Sequence, residues 1–270
     1  MSSNGKTGES SGKKEKKENP VLSFLNKALF KPIDMAFVGL LKAVEQAGLS
    51  KQIQYPHYLN QDTLWWTVFR QFWDFEIFGS EHVPPEGEPA VVCSNHSSFW
   101  DPLIQGVSLC HYTRRRIHEM GKVELFEMPL VNAYLRWIYG FPVKRGEHDQ
   151  EAHDHALELL QKGEILGMFP EGTLNTGGTN FLVPKTGAIR LAIEGNAPIV
   201  PLAIVGTDVI LGKGKKNINF NAKLTCAIGE PIPIHEKYKG VLPSHDVMQQ
   251  EANNVMEKLK VLVKEHSARK

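Results

Sequence analysis

The 270-residue sequence predicts an α/β fold: a single domain with a mixed, mostly parallel sheet covered by helices, preceded by an N-terminal helical region. Two observations carry this expectation. Residues 90–93, 165–169 and 199–205 are short, almost wholly apolar runs. Their length and lack of alternation suit strands buried on both faces. Between them lie stretches with apolar residues at helical spacing, and strands alternating with helices build a helix-covered sheet. No internal repeat is present, which argues against a solenoid.

Bulk composition narrows the function classes. The chain is 41% hydrophobic and 23% charged, ordinary values for a protein with a real core. A net charge of +1 supplies no global basic field, so nucleic acid is not an expected partner. Cys93, Cys110 and Cys226 are odd in number and far apart. They fit neither a zinc spacing nor a disulfide framework, which points to a reducing compartment. A membrane-spanning helix needs roughly 18 apolar residues, whereas the longest uncharged run, 172–184, is short and rich in Gly, Thr, Asn and Pro. The first residues lack the apolar segment of a secretory signal. If the protein meets lipid, it is therefore expected to do so from the surface.

Taken in order, residues 1–19 are Gly, Ser, Lys and Glu and cannot bury enough surface to offset ordering entropy, so a solvated tail is expected. Residues 21–49 read as two short helices broken at Lys31-Pro32. The second, over 34–47, is apolar at Phe37, Val38, Leu41 and Val44 and is closed by Gly48. A further helix is expected to start at Asp62 as N-cap. It bears one polar stripe of Thr67, Arg70, Gln71 and Asp74. The rest of its surface is apolar, and Trp65, Trp66 and Trp73 are three of the five tryptophans in the chain. Trp65, Trp66, Phe69 and Trp73 suit an interfacial membrane dock; a helix packed into the core is the competing reading. The expected layout is thus a tail (1–19), a helical, membrane-docking region (20–74) and the α/β domain (75–270). Within that domain, 149–162 is a helix with Ala152, Ala156, Leu159 and Leu160 on one face and Gly163 as its stop. Residues 217–228 read as one or two strands. A last helix from Ser244 aligns Met248, Ala252, Val255, Leu259 and Leu262.

Three local patterns can carry chemistry. The stretch from Ser94 through Asn95, His96, Ser97, Ser98, Phe99 and Trp100 to Asp101-Pro102 follows an expected strand. Strand ends are where sites gather in α/β sheets. Asp101-Pro102 reads as an N-cap followed by Pro at the first helical position, which puts a carboxylate within reach of His96, and a carboxylate-oriented His can take a proton from a hydroxyl. Next, Phe169-Pro170-Glu171-Gly172-Thr173 forces a tight turn whose backbone amides could face an anion. Finally, Lys144-Arg145 closes the segment from Gly140, and paired cations suit phosphate. Each pattern alone also fits a plain surface loop.

In combination these blocks resemble the glycerolipid acyltransferase superfamily, typified by 1-acylglycerol-3-phosphate acyltransferases. Its His-x4-Asp block matches His96 to Asp101, and its Gly-led block ending in Arg matches Gly140 to Arg145. Its Phe-Pro-Glu-Gly-Thr block matches Phe169 to Thr173, and its proline-bearing apolar strand matches Ala197 to Leu202. Gly121 to Phe126 with Pro129, and Phe181 with Lys185-Thr186-Gly187, resemble the family's intervening stretches. The resemblance spans about residues 75–235. One departure is Leu174-Asn175, where family members commonly carry Arg-Ser, which bears on acceptor recognition rather than on the His–Asp chemistry.

The resemblance implies an acyltransferase that moves a fatty acyl group from acyl-CoA or acyl carrier protein to the free hydroxyl of a lysophospholipid such as 1-acylglycerol-3-phosphate, with no cofactor and no metal. It implies His96 as general base, Asp101 as its orienting carboxylate, and Lys122, Arg145, Glu171, Gly172, Thr173 and Lys185 around the acceptor's phosphoglycerol. A CoA-independent transacylase of the tafazzin type and a non-catalytic lipid-binding module remain alternatives. Ser97 and Ser98 lack a nucleophile-elbow context. The runs 147–149 and 153–155 hold metal-ligand residue types, but a polar helix surface is the expected role. Residues 212–216 lack the spacing of a phosphate-binding P-loop.

Overall fold

The computed structural model describes residues 20–144, 149–175, 180–211 and 217–267. The expected tail (1–19) and the Gly/Lys run (212–216) lie outside the described residues. Seven strands form one sheet in the order β1-β7-β6-β2-β5-β3-β4: β1 Glu76–Phe78, β2 Ala90–Ser94, β3 Ile117–Lys122, β4 Phe141–Val143, β5 Ile165–Met168, β6 Ile199–Val205 and β7 Thr225–Ile228. Every pairing is parallel except β6–β7, so the sheet is mixed and mostly parallel. The helices are α1 Pro20–Leu25, α2 Lys31–Gln46, α3 Gln54–Trp73, α4 Asp101–Thr113, α5 Val123–Phe126, α6 Val131–Trp137, α7 Gln150–Gln161, α8 Gly187–Glu194, α9 Thr207–Leu211, α10 Ile234–Tyr238 and α11 His245–Ser267.

The period-2 geometry of the strands sorts side chains between two helical layers. On β2, Ala90 and Val92 join a cluster with Phe69 and Trp73 of α3 and Ile104 and Val107 of α4. Val91 and Cys93 face the other way, onto Ala156, Leu159 and Leu160 of α7, Ile189 of α8 and Leu259 of α11. The apolar face expected for 149–162 is the buried face of α7, and that expected for the last helix is buried in α11 at Met248, Ala252, Val255 and Leu259. Only one strand forms within 217–228. Residues ahead of β7 are held against the end of α3 instead: the Leu224 amide donates to the Trp73 carbonyl at 2.9 Å, and Phe220 stacks on Trp73.

Three expectations for the N-terminal region are corrected. The chain does not break at Lys31-Pro32. A π-helical turn over Asn26–Phe30 joins α1 to α2, and its wider hydrogen-bonding loop makes room for a proline at the start of the next segment. Asp62 is not an N-cap: α3 begins at Gln54, with Pro56 in its first turn where a missing amide is tolerated, so Asp62 is mid-helix and 4% exposed. The aromatic face of α3 is not free to dock on a bilayer. Phe69 is fully buried and Trp73 is 3% exposed, while Trp65 and Trp66 are half-buried against the same cluster. The Trp73 indole N–H donates to the Asn219 carbonyl at 2.8 Å, satisfying the one polar atom that burial would orphan. The polar stripe of Thr67, Arg70, Gln71 and Asp74 faces solvent. The layout drawn from the sequence ends its N-terminal region at residue 74, inside this cluster.

The N-terminal helices are fastened to the α/β body by buried polar side chains. Asp34 of α2 accepts from the amides of Leu130 and Ala133, both at 2.9 Å, and from the Asn132 side chain at 2.7 Å. A carboxylate at these orphan amides caps α6 from outside its own segment. At the other end of α6, the Gln54 side-chain amide donates to the carbonyls of Arg136 and Trp137. Among the described residues no helix is long and apolar enough to cross a membrane.

Candidate active site

Adjacent parallel strands bring the chemistry-bearing loops together. β2 and β5 pair with Cys93 opposite Met168, so the loops leaving their carboxyl ends emerge side by side. The first residue beyond β2, Asn95, turns its side chain into the sheet: its Nδ2 donates to the Ile204 carbonyl and its Oδ1 accepts from the Ile204 amide, both at 2.8 Å. This two-point clamp on β6 fixes the angle at which the chain leaves the strand.

His96 follows. Its Nδ1 lies 3.0 Å from Asp101 Oδ2, and the same oxygen accepts from the amides of Ser97 at 2.6 Å and Ser98 at 2.7 Å. Asp101 is the first residue of α4 and completely buried; its carboxylate reaches back to close the loop instead of capping its own helix. An ionised carboxylate only accepts, so Nδ1 carries the ring proton and Nε2 is left with the free lone pair. The ring stacks on Phe169, with centroids 4.2 Å apart, which fixes its plane.

The β5 loop is stapled to the His96 loop. Glu171 is 4% exposed. Its Oε1 accepts from the His96 amide at 3.2 Å, and its Oε2 accepts from Asn175 Nδ2 at 2.7 Å and the Leu182 amide at 2.9 Å. Asn175 in turn donates its own amide to the His96 carbonyl at 2.7 Å. Glu171 is therefore a positioning residue whose oxygens face inward, a correction to the expectation that it contacts the acceptor: a carboxylate at a strand end is better stabilised by buried amides than beside an anion. Asn175, part of the departure from the family pattern, belongs to the same internal network. Gly172 takes φ = 69° with the Lys185 side chain lying over its Cα, a conformation and a closeness that a Cβ would oppose.

Two cavities meet at this point. One, of about 140 Å³, is walled mainly by apolar side chains from α3, α4, β3 and α6, among them Val107, Ile117 and Leu135. The second is lined by the cations Lys144, Lys185 and Arg190 and by Thr186 and Gly187 at the start of α8. Cationic side chains beside a helix N-terminus favour an anion. Its carboxylate, Asp149, is taken up by backbone amides of Lys144 and Ala152, which hold it below the usual carboxylate range. Phe169 and Met120 line both cavities; His96 lines neither and meets them through its stack on Phe169.

The candidates named from the sequence are thus distributed unevenly. Gly172 and Lys185 line the cationic cavity. Lys122 lines the apolar one and pairs with Glu124 at 2.7 Å, so it does not converge with Lys185. Thr173 is exposed and lines neither cavity. Arg145 and His148 lie outside the described residues. His153 pairs with Glu194 at 2.7 Å on the wall of the cationic cavity. Sequence reasoning gave no role to Arg190, which carries no motif and reaches the cavity only because α8 starts beside the β5 loop. It also missed two acids in the apolar cavity, Asp62 and Glu119. Burial lifts Glu119 well above the usual carboxylate range, helped by the charge of Asp101. Burial likewise raises Asp62 to about 7.

Comparison with known proteins bears on what this geometry belongs to. An acyltransferase family model matches residues 74–205. The chain is 33% identical over 172 residues to the 1-acyl-sn-glycerol-3-phosphate acyltransferase of Bacillus subtilis, covering 63% of this chain and 79% of that protein. It is 29% identical over 165 residues to a chloroplastic 1-acyl-sn-glycerol-3-phosphate acyltransferase of Arabidopsis thaliana, spanning 60% of this chain and 44% of that longer protein. The crystal structure of the 1-acyl-sn-glycerophosphate acyltransferase of Thermotoga maritima superposes with a TM-score of 0.61 at 22% identity, over 91% of this chain and 92% of that one, which establishes a shared fold. With a third of its aligned residues and most of the length of the Bacillus enzyme in common, the chain belongs to the glycerolipid acyltransferase superfamily.

Proposed function

We propose that this protein transfers a fatty acyl group from an acyl-CoA or acyl-carrier-protein thioester to the free hydroxyl of a lysophospholipid, foremost 1-acylglycerol-3-phosphate, giving phosphatidic acid. The observation that carries this reading is the place of His96: fixed by Asp101 and stacked on Phe169, a ring that lines both a largely apolar cavity and a cationic cavity that suits a phosphate. His96 Nε2 removes the acceptor's hydroxyl proton as its oxygen attacks the thioester carbonyl. The C–S bond then breaks, and the imidazolium returns that proton to the departing thiolate. Asp101 holds the tautomer and stabilises the imidazolium. No further cofactor is required. The test is a panel of lysolipid acceptors with labelled acyl-CoA, read by product mass, with thiol release followed using dithiobisnitrobenzoate. Phosphatidic acid with one thiol per ester supports the proposal; acyl exchange without thiol release would replace it with transacylation, and no product from any acceptor would sink it.

Lys185→Ala should raise the KM for a phosphate-bearing acceptor about tenfold or more, since hydrogen bonds to charged groups are the strong ones, with a smaller effect on kcat. Arg145→Ala should act in the same direction on the strength of the family resemblance. Steady-state kinetics in both substrates checks this: a rise confined to the donor's KM would reassign the cationic cavity to the donor's phosphates.

We further place the protein on the membrane surface, at the cytoplasmic face, where the unpaired Cys93, Cys110 and Cys226 suit a reducing medium. With Phe69 and Trp73 buried and Trp65 and Trp66 half-buried, the dock moves to α1, α2 and the loop before α6. Phe24, Met35 and Leu40 are each more than half exposed, and Asp34 ties this region to the loop bearing the exposed Met128 and Leu130. A Phe24→Ser/Met35→Ser/Leu40→Ser variant should stop floating with liposomes while melting like the parent, because exposed side chains contribute little to folding. Undiminished flotation would overturn this placement.

A further inference from the structure

The apolar cavity contains a feature that a plain hydrocarbon chain does not call for. Tyr58, Gln61, Asp62 and Trp65 present one face of α3 to it, and Glu119 faces it from β3. The Asp62 side chain is 2% exposed, and neither of its oxygens makes a hydrogen bond; the nearest ionic partner is His111 Nδ1, 3.5 Å from Oδ2. Arg114, just beyond α4, is the other charge that Asp62 feels, and it does not bond to it. His111 Nδ1 makes no hydrogen bond either. Buried carboxyls without a hydrogen bond are costly to keep, and a ligand or solvent group can complete them. Apart from these groups and Lys122, which pairs with Glu124, the cavity is apolar, and a bound acyl chain would exclude the water that could serve.

We infer that Asp62, with Glu119 and Tyr58, forms a hydrogen-bonding subsite inside the acyl cavity that selects chains carrying a neutral polar substituent, a hydroxyl in the first instance. The inference rests on the acyltransfer reading above and deepens it by naming the acyl class. A hydroxyl matches the chemistry better than a cation does. Burial favours the protonated form of the carboxyl, which both donates and accepts as a hydroxyl does, whereas a cation would have to leave water for a largely apolar chamber. Such a site would also disfavour an unsubstituted chain, which leaves buried polar groups unmatched.

The test uses a series of acyl-CoAs of one length, unsubstituted or bearing a single hydroxyl at successive positions, with the matching free fatty acids in thermal melts. The full-length protein should show at least about a tenfold higher kcat/KM for one or two hydroxyl positions than for the plain chain. Its melting point should rise more with the matching hydroxy acid than with the plain one. Asp62→Leu should abolish or invert that preference, whereas Asp62→Asn, which keeps a neutral donor and acceptor, should retain most of it. Equal use of plain and hydroxylated chains at every position, with equal melt shifts, would overturn the inference and leave acyltransfer standing. Unchanged preference in Asp62→Leu would overturn it as well, and if that variant does not fold, loss of preference in Asp62→Asn does the same. Melts that discriminate the hydroxyl with no transfer of any chain would support the subsite and overturn the acyltransfer reading.

Discussion

His96→Ala should abolish acyl transfer in a protein that still folds. Loss of a general base costs about 10²- to 10⁴-fold in rate. The fold should tolerate the change because the loop keeps its other fastenings. Asp101 Oδ2 still accepts from the amides of Ser97 and Ser98, Glu171 still holds the backbone amide of residue 96, and Asn95 still grips β6. Asp101→Asn is the informative companion. Asp101 Oδ2 serves both loop amides and His96 Nδ1, so an Asn can keep its oxygen at that position only as a neutral acceptor. The imidazolium that forms in the reaction then loses its counter-charge, and the opposite amide orientation would set its NH2 against Nδ1 and favour the wrong tautomer, so most of the rate should go with little disturbance of the loop. Rates on a lysophosphatidic acid acceptor, beside thermal melts of each variant, check both. Parent-like turnover in folded His96→Ala would end the proposed mechanism.

Phe69→Ala should be the most damaging change for stability. Phe69 is fully buried and contacts the rings of Trp65, Trp73, Phe75 and Trp100, so truncation removes apolar burial and leaves a cavity where α3 meets the sheet. Such substitutions cost about 3–5 kcal/mol, against a total of about 5–15 kcal/mol for a typical domain. Trp73→Ala should behave similarly and also orphan the Asn219 carbonyl. Because Trp100 precedes Asp101 and packs on both rings, activity should fall with the fold rather than by itself. Urea titrations give the comparison. A Phe69→Ala protein that keeps the parent's midpoint but leaves liposomes would restore the interfacial role for α3 that the packing argues against.

What the sequence determined by itself is what local chemistry can encode. Uninterrupted apolar runs marked β2, β5 and β6, since a strand covered on both faces needs no polar side. The 3.6-residue spacing marked the buried faces of α7 and α11. The family blocks around His96 and Phe169 placed the candidate base and its carboxylate, because a loop of five residues leaves the two side chains few separations. Other features needed contacts from distant segments. Asp62 reads as an N-cap by residue type, yet α3 starts earlier, where Gln54 is held by carbonyls more than eighty residues away. The aromatic face of α3 carries the same amphipathic signature whether it meets lipid or protein; only the sheet and Asn219, on a segment 146 residues further along, decide for protein. Glu171 looks like a surface-turn carboxylate until the His96 amide and Asn175 take its oxygens. The partition between the apolar and cationic cavities exists only because β2, β5, β3 and β4 lie in that spatial order, which is not their order in the chain. Periodicity reports which way a side chain points from its own backbone; what it points at is set by the packing of elements far apart in sequence.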